Sequence, residues 1–150
     1  MKNPIDLGHK TVDAARITAI KPISDEQRQS VSATLSSSAN WTAEARSLGG
    51  PGGYIADLGV EKVVAGLARH GEKLAFIPES GEAVRRDWLT SVKPFASRAD
   101  RPSDQRKFRS VATFVNPETG ETSEEWFAAT PEQLRGGKVP SIHDLAGGPG

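Results

Sequence analysis

The residues best suited to a specific chemistry are the cations of segment 85–109. This segment holds eight basic side chains against three acidic ones, a local charge of +5 in a chain whose formal net charge is zero. Guanidinium and ammonium groups bind carboxylates and phosphates through charge-assisted hydrogen bonds. The predicted binding residues are Arg85, Arg86, Arg98, Arg101, Arg106, Lys107 and Arg109.

Several environments suit this basic segment. Phe95 and Phe108 flank its loop and can stack on bases, as in proteins that follow a nucleic-acid backbone. The sequence pI of about 6.8 lies well below the value of about 9 that dedicated nucleic-acid domains usually exceed. Segment 115–150 carries six acidic and two basic side chains, so the basic segment can also face it in the same chain or a second copy, or stay solvated. We predict an acidic protein surface or a second copy as the partner, with nucleic acid as the alternative.

A glycine-rich stretch at 48–59, LGGPGGYIADLG, raises the separate question of an anion site. Phosphate-binding loops direct backbone N–H groups at one point at a helix N-terminus, usually after a strand. Here the preceding residues predict a helix, the patterns GxxxxGK[ST] and GxGxxG are absent, and Pro51 lacks an N–H group. The stretch therefore predicts a turn between two helices. An enzyme with a backbone anion site at 49–53 is a third hypothesis.

The side chains that could catalyse a reaction form no recognisable set. The chain has no cysteine, which excludes thiolate catalysis, disulfides and cysteine-ligated metal centres. His70 with Glu72 straddles a predicted helix end, and His143 with Asp144 lies in a predicted tail. Neither pair has a nucleophile placed for activation.

Two further pairs fail on geometry. Glu124 and Glu125 are adjacent, so in a strand they point to opposite faces and cannot share a substrate. His9 and Asp13 would need a helix to ligate a metal together, where the sequence predicts an extended arm. We predict a protein that is not an enzyme, with no catalytic, cofactor-binding or metal-binding residues.

Hydrophobic periodicity and capping residues predict the elements that must position the basic segment. Alternation predicts strands near 15–22, 73–78, 108–115 and 121–128, with a hairpin loop at 116–120 and a helix at 123–129 as the rival of the last strand. Helical spacing predicts helices near 25–36, 41–48, 57–70 and 81–92, and a short one from 131. Ser24 with Gln27, and Thr130 with Gln133, have capping-box spacing.

Together these elements predict one α+β domain over residues 1–150. We expect a small, mostly antiparallel sheet of three to four strands with three to four helices packed on one face. The expected core is 12–135, with mobile arms at 1–11 and 138–150. Trp41, Trp88 and Trp126 lie on apolar stripes and are predicted core residues, although an exposed one would mark an interface anchor.

The predicted function is that of a non-enzymatic interaction module. Its size, its lack of catalytic residues and its Ala, Gly and Arg content suit an accessory, regulatory or inhibitory protein of a bacterium or of its phage or plasmid. The N-terminus lacks the apolar stretch of a signal peptide, and no apolar run approaches the roughly 20 residues that span a bilayer. We therefore expect a cytoplasmic protein without a membrane partner.

Overall fold

The computed structural model describes residues 1–95 and 107–136. That part of the chain contains three short α-helices, α1 (Asp25–Leu35), α2 (Val60–Arg69) and α3 (Pro131–Arg135). It also contains ten strands: β1 (Pro4–Asp6), β2 (Thr11–Asp13), β3 (Ile17–Pro22), β4 (Trp41–Ser47), β5 (Gly50–Ala56), β6 (Ala75–Ile77), β7 (Glu82–Val84), β8 (Leu89–Pro94), β9 (Ser110–Val115) and β10 (Thr122–Phe127). Short 3₁₀ turns at Ala14–Arg16 and Arg86–Trp88 precede β3 and β8.

The strands form three antiparallel sheets. β1 pairs with β2, a five-stranded sheet has the order β5-β4-β3-β7-β6, and a three-stranded sheet has the order β10-β9-β8. The predicted α+β fold, with one sheet of three to four strands and helices packed on one face, is therefore wrong. The described chain is mostly β, with 40% of its residues in strands and 26% in α-helices and 3₁₀ turns together.

The helix predicted at 41–48 is strand β4. Trp41, Ala43 and Ala45 are buried and alternate with half-buried residues, which is the period of a strand. Trp41, Ala45 and Leu48 also have helical spacing, so the local pattern is ambiguous, and alanine favours the helix. β4 pairs with β3 on one side and β5 on the other, and these ladders satisfy its backbone.

The helix predicted at 81–92 is also wrong. Val84 ends β7, Trp88 ends a 3₁₀ turn and Val92 lies in β8, so the three residues belong to different elements. All three still lie in or against one core cluster, where the pairing of distant strands brings them together. The apolar spacing therefore identified residues that pack together, but the backbone that carries them is not a helix.

The locally encoded elements are confirmed. Both capping boxes are present, with Ser24 and Gln27 at the start of α1 and Thr130 and Gln133 at the start of α3. Helix α2 buries an apolar stripe, as predicted. β9 and β10 form the predicted hairpin, which excludes the rival helix at 123–129.

The predicted arm at 1–11 instead contains β1 and the turn into β2. Ile5 and Leu7 pack against the core. The Ala14 N–H group donates to Asn3 O at 2.8 Å, which holds the start of the chain in place. The predicted arm at 138–150 lies outside the described residues.

The five-stranded sheet lies between α2 and the three-stranded sheet. One core cluster joins it to α2, through Ile17, Ile20, Ala45 and Ile55 against Val60, Val63 and Leu67. A second joins it to the three-stranded sheet and α3, through Ala19, Ile77 and Val84 against Val92, Ala112, Phe114, Phe127 and Leu134. The three-stranded sheet thus uses one of its faces for the core.

Candidate functional site

Arg85, the first predicted binding residue, lies inside the fold. Its Nε donates to Ile17 O at 2.6 Å and its Nη2 to Ala14 O at 2.9 Å, and the residue is 6% exposed. Nη1 lies 3.5 Å from a carboxylate oxygen of Glu72, and the guanidinium lies 4.3 Å from the centre of the Trp88 ring. Burial lowers the pKa of this guanidinium, against the opposing effect of Glu72. The structure uses Arg85 to join its own strands.

Arg86 is also used within the fold. Its Nε donates to Leu134 O and its Nη2 to Gln133 O, each at 3.0 Å. These carbonyls belong to the last turn of α3, where a cation complements the helix dipole. Arg86 therefore anchors α3, and neither it nor Arg85 enters the surface described below.

The other predicted cations divide into two groups. Arg98, Arg101 and Arg106 lie outside the described residues. Lys107 and Arg109 are exposed just before β9. The Arg109 N–H group donates to Phe127 O, and Arg109 O accepts from the Phe95 N–H group, both at 2.8 Å. These backbone bonds fix Arg109 while its side chain stays exposed.

The alternation of the three-stranded sheet places cations and a tryptophan on the face that does not enter the core. Ser110, Ala112 and Phe114 of β9 are buried, whereas the residues between them are half-buried. The register sets Lys93 and Trp126 on either side of Val111. We call this surface the outer face, formed by Ser91, Lys93, Val111, Thr113, Val115, Thr122, Glu124 and Trp126, with Arg109 and Lys107 at its end.

Trp126 is held in one orientation by two phenylalanines. Its ring centre lies 5.0 Å from that of Phe95 and 5.5 Å from that of Phe108, both in edge-to-face arrangements. Phe95 is buried, whereas Trp126 and Phe108 remain half-buried, and Lys107 Nζ lies 5.1 Å from the Phe108 ring centre. None of the three tryptophans is exposed: Trp41 is buried, Trp88 is half-buried and packs against a core cluster, and Trp126 is half-buried on the outer face.

A charged cleft of about 610 Å³ lies beside β10, next to β3 and β4. Lys21 Nζ donates to Trp126 O and lies 4.8 Å from the Phe127 ring centre. Arg46 Nε donates to both carboxylate oxygens of Glu125 at 3.1 Å. These contacts join the five-stranded sheet to the three-stranded sheet.

Burial sets the electrostatics of this cleft. It lowers the pKa of the Lys21 ammonium and raises the pKa of the Glu125 carboxyl, although Arg46 acts in the opposite direction on Glu125. Perturbed groups in a cleft are typical of functional sites, but structural ion pairs perturb pKa values too. Lys21 and Glu125 each have a partner within the fold, which favours the structural role.

Glu82 completes this junction. Its two carboxylate oxygens accept from the N–H groups of Ala128 at 3.0 Å and Ala129 at 2.9 Å, and the residue is 4% exposed. Since β10 is an edge strand, Glu82 and Lys21 together cover backbone groups that an edge would otherwise leave unpaired.

The acidic hairpin is paired with the N-terminal region. Glu118 forms an ion pair with Lys2, and both terminal nitrogens of Arg16 donate to the carboxylate of Glu121 at 2.6 Å. The hydrogen bond from Arg16 lowers the pKa of Glu121. The partners of Glu118 and Glu121 are therefore Lys2 and Arg16, which do not belong to the basic segment 85–109.

The glycine-rich stretch turns the chain at 48–49 and then forms β5 itself, so the predicted turn between two helices is wrong. A Cβ atom at Gly52 would lie 2.6 Å from Ser47 Oγ and 2.9 Å from Ala45 O. At Gly53, where φ is +125°, it would lie 2.7 Å from Leu7 Cδ1. Gly52 and Gly53 lie in β5 and allow this close packing, so the hypothesised anion site at 49–53 falls in the turn and the strand, whereas Gly59, the last residue of the stretch, is the N-cap of α2.

The histidines and paired carboxylates do not converge. His9 Nε2 accepts from the Tyr54 N–H group at 3.4 Å and packs against Trp41. Glu124 is exposed and Glu125 buried, as predicted for neighbours in a strand. Within 1–95 and 107–136 there is no group of three or more acidic or histidine side chains that could hold a metal ion. Nor does this part of the chain contain a helix long and apolar enough to cross a membrane.

Lys93 contributes to the basic charge of segment 85–109 but is not among the predicted binding residues. The apolar stripe predicts Trp126 in the core, or as an interface anchor if exposed, and the structure leaves it half-buried on the outer face. In β8 the exposed Lys93 follows the buried Val92, and this alternation could have identified Lys93 as a residue of the outer face. The incorrect prediction of a helix at 81–92 assigned most of this strand to a different element. Comparisons with protein-family models, with curated proteins and with solved structures found no match to this chain, so its function is argued from the outer face itself.

Proposed function

We propose that this protein is a non-enzymatic interaction module that binds an acidic protein surface through the outer face. The observation that carries the proposal is the position of Lys93 and Arg109 near the half-buried Trp126, on the sheet face opposite the core. A cytoplasmic accessory, regulatory or inhibitory role belongs to the same proposal.

The aromatic cluster supplies the expected source of binding energy. Tryptophan and arginine are enriched among the residues that dominate protein interfaces. Contacts with Phe95 and Phe108 already orient the Trp126 ring, so binding would order few further side-chain rotations. The exposed Lys93, Lys107 and Arg109 would steer an acidic partner towards this ring.

A protein partner fits the charge of this surface better than a nucleic acid does. The exposed carboxylate of Glu124 lies on the outer face, and Glu44 and Glu125 line the neighbouring cleft. A phosphate backbone would be repelled by these carboxylates, whereas a protein can place a basic or neutral group beside them. Arg85, moreover, is buried, and the guanidinium of the half-buried Arg86 donates to the carbonyls of α3.

The proposal is tested by selecting a random peptide library, displayed on phage, on the immobilised protein. We expect the selected peptides to combine Asp or Glu with an aromatic or aliphatic residue. Binding of a synthesised peptide should fall about tenfold or more in Lys93→Glu/Arg109→Glu. Lys10→Glu/Lys73→Glu, which reverses two exposed lysines elsewhere, is the matched control and should bind like the wild type.

Two other partners give distinct results. Single-stranded and double-stranded oligonucleotides are titrated at low and high salt, and binding stronger than that of any peptide, with a steep salt dependence, would assign the surface to nucleic acid. Light scattering that shows a dimer lost in Lys93→Glu/Arg109→Glu would assign it to a second copy. Peptide binding equal in both double variants would contradict the proposed surface.

A further inference from the structure

An apolar crevice lies on the far side of the five-stranded sheet from the outer face. It has a volume of about 360 Å³ and separates α2 from the N-terminal hairpin. Its apolar walls include Ile5, Leu7, Ile55, Leu58, Val63 and Leu67. Leu58 is 43% exposed, so part of this apolar wall is open to solvent. The size and lining are those of a small-molecule site.

Gly66, in the middle of α2, keeps this crevice wide. It lines the crevice, and a Cβ atom built on it would meet nothing within 4 Å, so close packing does not require a glycine. It is not among the glycines with positive φ, so the backbone does not require one either. Glycine in a helix interior is less stable than alanine. What the missing side chain provides at Gly66 is space.

The charges at the opening are mostly positive. Lys62 lies four residues before Gly66 and Arg69 three residues after it, so both share its stripe of the helix. Lys62, Arg69 and His70 all line the crevice and are exposed. Asp6 is the acidic residue of the lining. Neither Lys62 nor Arg69 forms an ion pair with a residue in the described ranges.

We propose that this crevice binds a free single-chain carboxylate, a medium-chain fatty acid. The alkyl chain lies against Leu58, Val63 and Leu67, and the carboxylate lies at the opening between Lys62 and Arg69. Apolar surface supplies the binding energy of the chain, and the two cations select an anionic head group. This site is separate from the outer face and does not depend on the proposed function.

The test is a calorimetric titration of the full chain with decanoate below its micelle concentration, followed by methyl NMR. We expect saturable binding, with shifts at the methyl groups of Leu58, Val63 and Leu67. Gly66→Leu, which fills the crevice, should weaken decanoate binding at least about tenfold. Ala65→Leu places the same side chain on the exposed side of α2 and should bind as the wild type does. A thermal melt of each variant shows that it is folded.

Matched ligands separate the parts of the proposal. Decanol has the same chain without the charge, and acetate has the charge without the chain, so both should bind more weakly than decanoate. In Lys62→Gln/Arg69→Gln, decanoate should bind no better than decanol. Equal binding of decanoate to wild type and Gly66→Leu, or of acetate and decanoate to the wild type, would overturn the proposal. So would binding to vesicles of anionic phospholipid without binding to free decanoate, which would show a membrane-surface contact instead.

Discussion

Replacing Arg85 tests the assignment of a predicted binding residue to the interior. The variant Arg85→Met keeps most of the side-chain volume but removes the guanidinium. It leaves the carbonyls of Ile17 and Ala14 without their charged donors and Glu72 without its nearby cation. The contact with the Trp88 ring is lost as well.

The size of the effect follows from these contacts. Hydrogen bonds to charged groups contribute about 1.5–3 kcal/mol each, and removing one partner of a buried ion pair costs about 3–5 kcal/mol. These effects overlap, so we expect Arg85→Met to lower the free energy of unfolding by about 4 kcal/mol. For a domain of this size that lowers Tm by about 8–16 °C. Arg85→Lys keeps the charge but not the two-pronged geometry, and should lose about half as much.

Urea denaturation and thermal melting, both followed by circular dichroism, measure this loss. Arg109→Met is the matched control, because its exposed side chain forms no ion pair or hydrogen bond with a described residue. The control should change the free energy of unfolding by less than about 0.5 kcal/mol. Equal stabilities of Arg85→Met and Arg109→Met would refute the reasoning, since the two arginines would then be equally dispensable to the fold.

Four further predictions concern the sheet junction and two glycines. Glu82→Ala leaves the buried N–H group of Ala129 and the part-buried N–H group of Ala128 without their acceptor, so urea denaturation should show a loss of about 2–4 kcal/mol. Burial raises the pKa of Glu125 in the native state above its ordinary value of 4.5. At pH values between the unfolded-state pKa and the raised native-state pKa, the native state therefore binds more protons than the unfolded state. The free energy of unfolding should therefore fall as pH rises through this window, and Glu125→Gln should flatten the dependence measured by denaturation at several pH values. Thermal melts should show that Gly52→Ala, whose Cβ would lie 2.6 Å from Ser47 Oγ, destabilises by about 1–3 kcal/mol. Gly66→Ala, with open space, should stabilise by about 1 kcal/mol.

The elements that sequence reasoning predicted correctly are those specified by neighbouring residues. The capping boxes at Ser24 and Thr130, the stripe of α2 and the hairpin between β9 and β10 each depend on residues within a few positions. Strand β4 and segment 81–92 depend instead on pairing with distant strands. For a residue such as Ala43 or Val84 the local pattern fits helix and strand alike, and the distant partner decides.

The site was predicted in part for the same reason. Charge counting grouped Arg85 with Arg109, because it measures local charge and not burial. The groups that bind Arg85 include carbonyls 68 and 71 residues away, and no nearby residue indicates them. Lys93 and Trp126 lie on one surface only because β8, β9 and β10 pair in a particular register, which the local sequence does not specify. Sequence reasoning found the cations but not the surface that presents them.

The most direct test of the central claim is site-specific photo-crosslinking in the cell that encodes this protein. Thr113, on the outer face, is replaced by p-benzoylphenylalanine, and Ala33, exposed on α1, is replaced in a control. We predict that Thr113 captures a protein with an acidic surface, that nuclease treatment leaves the product intact, and that Lys93→Glu/Arg109→Glu abolishes it. The same products from both positions, capture that ignores the charge reversals, or a nuclease-sensitive product would contradict the outer face as a protein-binding surface.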